Sequence, residues 1–271
     1  MPSSSPARAV GPVVRRRARV GALIAAAITI ALVGTGCSMP RSAAGSPDDS
    51  IPLSQNQFQQ TDQPSQGSGS AEPGSSLVAT ARGSQVTIRT APGAGGRSSL
   101  KNPTAIGAPL TFLVLETRPG WLKVQLPVRP NGSSGWVAQA EVTISTTPYR
   151  LVIPMSKHRL DVMYEGRRIA RHEVGVGKAA TPTPKGTYYL TELIEPPNPK
   201  GAYGPYAFGL SAFSNTLKSF AGGPGQLGLH GTDAPHGLGK DISHGCIRVA
   251  NTVITQLAGE LPLGTPVDIQ V

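Results

Sequence analysis

Cysteine is almost absent: the 271 residues contain two, Cys37 and Cys246. So small a number excludes a disulfide-stapled fold and the paired Cys-x-x-Cys ligand sets of structural zinc sites. Acidic residues are missing altogether from residues 1–37, which hold Arg8, Arg15, Arg16, Arg17 and Arg19. The formal net charge of +10 therefore falls to about +5 for the remainder. That balance gives no support to nucleic-acid binding and suits contact with an anionic surface.

The basic start runs into VGALIAAAITIALVG, Val20 to Gly34. A charged segment followed by an apolar one reads as an export signal. It closes on Gly-Thr-Gly-Cys, small residues before Cys37, which resembles a bacterial lipoprotein cleavage site and makes Cys37 the expected lipidation position. Gly34 stands where that pattern prefers Leu or Val, so a plain secretory signal and an uncleaved anchor stay open. All three readings export the chain and place it outside the cytoplasm, and lipidation or an uncleaved segment would also attach it to the membrane.

Aromatic residues are scarce from residue 38 to residue 75, where Ser, Gly, Pro and Gln fill 24 of 38 positions. Such a segment cannot bury enough apolar surface to fold. As a coiled tether it would span about 35 Å root-mean-square and about 120 Å when pulled straight.

Beyond the tether the pattern turns to short alternating runs between turn residues. VTIR, LTFLVL, WLKVQL and GWV within residues 76–147 predict a small all-β domain. VTIRTAPG, Pro-Gly-Trp before LKVQL, and Gly135-Trp136-Val137 resemble the bacterial SH3-like domains of wall proteins. Trp121 and Trp136 are read as packing residues. Residues 148–271 again read mostly as strands, giving a mainly β chain: a small barrel, then a β-sandwich with little helix. Glu165-Gly166 sits between two alternating runs as a hairpin turn would. Asn251 is placed to cap a short helix carrying Val253, Ile254 and Leu257, before a closing VDIQV strand. The segment from Glu195 to Ala207 is a Pro- and Gly-rich loop carrying Tyr203 and Tyr206.

Cys246 lies in ISHGCIRVAN. An unpaired thiol in an exported protein is exposed to oxidation and is usually present for its reactivity. Three of the five histidines, His230, His236 and His244, precede it closely. Metal binding is disfavoured by the spacing, so no metal or cofactor is expected. A buried structural cysteine would not explain the His, Gly and Ser around it. Nucleophilic catalysis would: a thiol needs a neighbouring base or positive charge, and His230, ending the apolar run LGLH, is the candidate base. Such pairing predicts a thiol pKa well below the free value of about 8.5. Gly245 permits close substrate approach, with peptide N–H groups near Cys246 available to an oxyanion.

HGTDAPHGLGKDISHGCIRVAN, together with GKAATPTPKGTYYL, closely resembles the YkuD-type L,D-transpeptidase catalytic domain, over about residues 148–271. The resemblance implies that Cys246 is the nucleophile and His230 the general base. It also implies that the carbonyl of Gly231 orients the imidazole, and that Ser243, His244, Gly245 and Arg248 belong to the substrate and oxyanion region. Arg248 is read either as a clamp for a substrate carboxylate or as a structural salt-bridge partner. The implied substrates are peptidoglycan stem peptides. Cys246 would attack a tetrapeptide stem, release the terminal D-alanine, and pass the acyl group to an amine of a neighbouring stem as a 3→3 cross-link. The loop carrying Tyr203 and Tyr206 corresponds to the family's mobile cap. Carbapenems are implied covalent inhibitors. An L,D-carboxypeptidase, with water as acceptor, and a catalytically inactive wall-binding lipoprotein are the rival readings. The NlpC type places its cysteine before the histidine, and sortases set theirs at the end of a Thr-rich strand.

Overall fold

The computed structural model describes residues 8–9, 72–220 and 222–271. The segments read from the sequence as an export signal up to Cys37 and as a tether lie outside these residues, apart from residues 72–75 and a two-residue strand β1 (Arg8–Ala9) that pairs antiparallel with Glu195 and Ile194.

The first sheet follows the alternation of the sequence. Its strands are β2 (Ser76–Ala81), β3 (Gln85–Arg89), β4 (Gly96–Lys101), β5 (Thr111–Arg118), β6 (Trp121–Gln125), β7 (Ser134–Ala138) and β8 (Val142–Thr147). They pair antiparallel in the order β4-β3-β7-β6-β5-β2-β8. In β3, Val86 and Ile88 point inward while Thr87 and Arg89 do not, as a period of two requires. They join Ala79, Phe112, Leu122, Val124 and Val137 in one core. Trp136 is buried and Trp121 half-buried. Each is covered by a guanidinium, Arg118 over Trp136 at 4.8 Å and Arg89 over Trp121 at 5.1 Å.

The chain continues through Pro148 into β9 (Tyr149–Pro154), β10 (Arg159–Tyr164) and β11 (Arg167–Glu173). Glu165 and Gly166 form the β10–β11 turn with φ of 48° and 76°, the left-handed pair that a two-residue hairpin needs. There follow β12 (Val176–Gly177), β13 (Gly186–Glu195), β14 (Ala207–Phe213), β15 (Gln226–His230), β16 (Asp241–Ser243) and β17 (Ile247–Arg248). Helix α1 (Asn251–Glu260) and strand β18 (Pro266–Gln270) complete the chain. The second sheet runs β11-β10-β9-β18-β13-β14-β15-β17, and β12 pairs with β16 beside it. Most neighbours are antiparallel, but β18 runs parallel to β9 and β17 parallel to β15. Strand β14 is buried along its whole length and shares its core with Leu151, Leu190, Leu229, Ile247 and Ile254. The chain is thus mainly β, with α1 the one α-helix among the described residues. No helix among those residues is long and apolar enough to cross a membrane.

Asn251 departs from its expected role. It is the first residue of α1, the cap position falls on Ala250, and no side chain caps the helix. Its carboxamide oxygen instead accepts the backbone N–H of Thr232 at 2.7 Å. A side chain that satisfies a buried loop amide is worth more than one at a helix end open to water.

The two sheets meet through polar contacts. Gln125 donates to the carbonyl of Thr187 at 2.7 Å, and the fully buried Tyr189 donates its hydroxyl to the carbonyl of Gln125 at 3.2 Å.

Candidate active site

Strand pairing accounts for the meeting of two residues that are sixteen positions apart in the chain. Strand β17 lies parallel to β15 with Leu229 opposite Ile247 and His230 opposite Arg248. Cys246 therefore enters this edge one residue before Ile247, beside Gly228. Cys246, His230, Ser243, His244 and Arg248 line one cavity of about 80 Å³, together with Ala202, Tyr203 and Phe220.

His230 is only 3% exposed. Its Nδ1 is 2.6 Å from the carbonyl oxygen of Gly231. A contact that short requires Nδ1 to carry the proton and donate it, which leaves Nε2 as the free lone pair. Burial pushes the imidazole pKa down to about 4, with the charge of Arg248 acting in the same direction; the Gly231 hydrogen bond and Asp233 oppose them. The ring is therefore neutral at physiological pH and able to accept a proton. Gly231 is required at its position because a Cβ there would run into the Asn251 carboxamide oxygen and lie 3.0 Å from Gly204 Cα. Asn251 thus braces the turn from which the orienting carbonyl projects.

Cys246 is half-buried and free. Burial pushes its thiol pKa up, while a backbone hydrogen bond from Gly228 and the charge of Arg248 pull it down. The sequence-based expectation of a lowered thiol pKa is therefore not met. Burial disfavours the thiolate and the imidazolium alike, so the resting pair is neutral thiol with neutral imidazole.

The turn carrying Cys246 is held from within. Ser243 is 1% exposed; its hydroxyl donates to the carbonyl of Cys246 at 2.6 Å and accepts the Gly245 N–H at 3.0 Å. Of the peptide N–H groups near Cys246, that of Gly245 is therefore engaged within the turn. Two threonines from TPTP complete the brace. Thr181 donates to the carbonyl of Ser243 at 3.2 Å, and Thr183 donates to the carbonyl of Gly245 at 2.8 Å while accepting the Gly177 N–H at 2.9 Å.

Arg248 is half-buried, and its Nε is enclosed without a hydrogen-bond partner. It makes no ion pair among the described residues. Exposed His244 stacks on Phe220, ring centroids 5.2 Å apart. His236 is exposed in a turn and does not line the cavity. Among the described residues no group of three or more His, Cys, Asp or Glu is arranged to hold a metal ion.

Three wall residues, Ala202, Tyr203 and Phe220, are not among the site residues read from the sequence, and two of them are aromatic. Tyr203, from the loop between β13 and β14, packs on His230 with centroids 4.8 Å apart. Phe220 comes from the segment between β14 and β15. Loop composition drew attention to Tyr203; Phe220 gave no signal. Tyr206 contributes its main chain, its carbonyl accepting the Gly231 N–H at 3.3 Å.

Residues 148–269 match the family model of the L,D-transpeptidase catalytic domain, YkuD. The chain is 33% identical over 124 residues to the Bacillus licheniformis protein named "Putative L,D-transpeptidase YkuD", covering 46% of this chain and 67% of that one. It is 30% identical over 150 residues to YkuD of Bacillus subtilis, covering 53% of this chain and 83% of the relative. Among solved structures, Bd1075 of Bdellovibrio bacteriovorus is 28% identical with a TM-score of 0.37, covering 45% of this chain and 48%, about half, of that chain. The residues around Cys246 thus sit within the matched region, and the chain belongs to the YkuD-type L,D-transpeptidase family.

Proposed function

We propose that this chain is an exported peptidoglycan L,D-transpeptidase with Cys246 as its nucleophile. The observation that carries the proposal is that His230, neutral and with Nδ1 held by the Gly231 carbonyl so that Nε2 keeps its lone pair, lines the same cavity as the Cys246 thiol.

In the first half-reaction His230 Nε2 takes the proton of the Cys246 thiol as Sγ attacks the carbonyl carbon of the third residue of a tetrapeptide stem. The C–N bond to the terminal D-alanine then breaks. The departing amine takes the proton from His230, leaving the stem as a thioester on Cys246. In the second half-reaction an amine of a neighbouring stem attacks the thioester and gives its proton to His230. The thiolate leaves and recovers that proton, and the product is a 3→3 cross-link. Because the resting pair is neutral, His230 works as a general base during attack, and no stored ion pair is needed. Arg248, which has no carboxylate partner among the described residues, is the natural clamp for a carboxylate of the substrate. The same thiol would open the β-lactam ring of a carbapenem and keep the acyl group.

Around this centre we place an export signal over residues 1–37 with lipidation at Cys37, a tether over residues 38–75, and an SH3-like domain over residues 76–147. The catalytic domain covers residues 148–271, membrane-anchored and facing the wall. Seven short antiparallel strands between Ser76 and Thr147 support the SH3-like reading.

Mass spectrometry of muropeptides after incubating purified full-length protein with peptidoglycan tests the proposal. New 3→3-linked species and free D-alanine are expected. Tripeptide stems without cross-links would make the acceptor water, and unchanged muropeptides would remove the enzyme reading.

A further inference from the structure

Phe220 has to be held over the cavity by something, because its segment leaves the sheet at the end of β14 and returns only at Gln226. The base of that segment is fastened by a residue from the other sheet. Arg129 lies between β6 and β7. Its Nη1 donates to the carbonyl of Ser214 at 2.7 Å, and its Nη2 donates to the carbonyls of Leu217 and Pro224 at 3.0 and 3.1 Å. Its guanidinium also lies 5.0 Å from the centroid of the Phe213 ring. One planar group thereby joins both legs of the segment, a geometry that a single ammonium cannot reproduce. Asn131 pairs with the backbone of Phe213 in both directions, donating to its carbonyl at 2.8 Å and accepting its N–H at 2.9 Å.

The segment itself is shaped for this clamp. Gly225 has φ of 74° and leaves no room for a side chain: a Cβ would meet the Leu217 carbonyl and come within 3.0 Å of Arg129 Nη2. At the far end Phe220 and Gly223 exchange backbone hydrogen bonds of 3.0 and 2.9 Å. From this tip the Phe220 ring, 41% exposed, reaches back to stack on His244 two residues before Cys246.

We propose that Arg129 is a positioning residue: by clamping the 214–225 segment it holds Phe220 as the cavity wall against His244, and so sets the apparent affinity of the Cys246 site for stem-peptide donors. This rests on the reading of Cys246 as the nucleophile. The N-terminal sheet then completes the substrate side of the site, in addition to any role in spacing it from the membrane.

The test uses the full chain as wild type, Arg129→Ala, Arg129→Lys, Phe220→Ala and Arg129→Ala/Phe220→Ala. With a disaccharide-tetrapeptide donor, Arg129→Ala is expected to raise KM about tenfold, the effect of a lost charge-assisted hydrogen bond, with much less change in kcat. Arg129→Lys is expected to recover part of that loss. Phe220→Ala should raise KM similarly, and adding Arg129→Ala to it should change nothing further. Alkylation of Cys246 by iodoacetamide, too small to need the wall, should stay within about twofold. The NMR shifts of the His244 ring, set by the Phe220 ring current, should move in Arg129→Ala and return part-way in Arg129→Lys.

Unchanged His244 shifts, an unchanged KM, multiplicative KM effects in the double variant, or alkylation that falls in parallel would each overturn the proposal. If wild-type protein is not acylated by the donor at all, the nucleophile reading fails, while the His244 shifts still decide whether Arg129 positions Phe220.

Discussion

Two arginines on the strands of the Ser76–Thr147 sheet, Arg89 and Arg118, lie on aromatic rings and also have carboxylate partners. Arg89 covers Trp121 and pairs with Glu141 at 2.8 Å; Arg118 covers Trp136 and pairs with Glu116 at 2.8 Å. At the edge formed by β15 and β17 the polar groups are left open. Arg248 has no ion pair among the described residues and a buried Nε without a partner, His230 is pushed far below its ordinary pKa, and the Cys246 thiol is pushed above its own. Closed pairs contribute to holding a fold. Buried groups left incomplete reduce stability and are kept where a ligand completes them.

The comparison breaks most clearly at His230. Replacing it with Ala should slow acylation of Cys246 by about 10²- to 10⁴-fold, the usual cost of a lost general base. His236→Ala, outside the cavity, should leave the rate within about twofold; equal losses in both, measured by stopped-flow acylation, would dissolve the distinction. Arg248→Ala is next. Loss of a charge-assisted contact to a substrate carboxylate should raise KM for a tetrapeptide stem by about 10- to 100-fold, against little change for a donor lacking that carboxylate.

The lowered pKa of His230 makes a third prediction, and its sign is fixed by burial. The unfolded histidine binds a proton as pH falls through about 6.5, whereas the folded ring stays neutral until about 4. Between those values the unfolded state carries the extra proton, so stability is lost as pH falls through that window. The shift corresponds to roughly 3 kcal/mol at most. Thermal melts from pH 7 to pH 4 should show a smaller acid-induced loss in His230→Asn than in wild type. The acylation rate of the wild type should stay level below pH 6.5 and fall only near pH 4.

Much of the site was legible because its parts are local in sequence. Cys246, Arg248 and the turn that holds them lie in one short run, and His230 ends a strand whose apolar pattern marks its boundary. The Glu165-Gly166 hairpin was legible for the same reason. What escaped depends on contacts between distant segments. Phe220 gains its place from Arg129, whose partners Ser214, Leu217 and Pro224 are 85 to 95 residues away. Asn251 was read from helix-end preferences, but tertiary contact with Thr232 outweighed them. The direction of the Cys246 shift followed from burial, which a list of neighbouring residues does not reveal.

The smallest effect belongs to the sheet in which Arg89 and Arg118 have carboxylate partners. Arg118→Ala removes an exposed ion pair and a cation–π contact worth about 0.5–1 kcal/mol, so urea melts should shift slightly and donor kinetics not at all. A change in kcat there would mean that this sheet is coupled to the chemistry by more than the Arg129 clamp.

The central claim is that Cys246 carries the acyl group, and intact-protein mass spectrometry with peptide mapping after exposure to a carbapenem tests it most directly. The account predicts one adduct per chain, mapped to Cys246, absent in Cys246→Ser, and formed far more slowly in His230→Ala. An adduct on any other residue, or one that persists in Cys246→Ser, would contradict it.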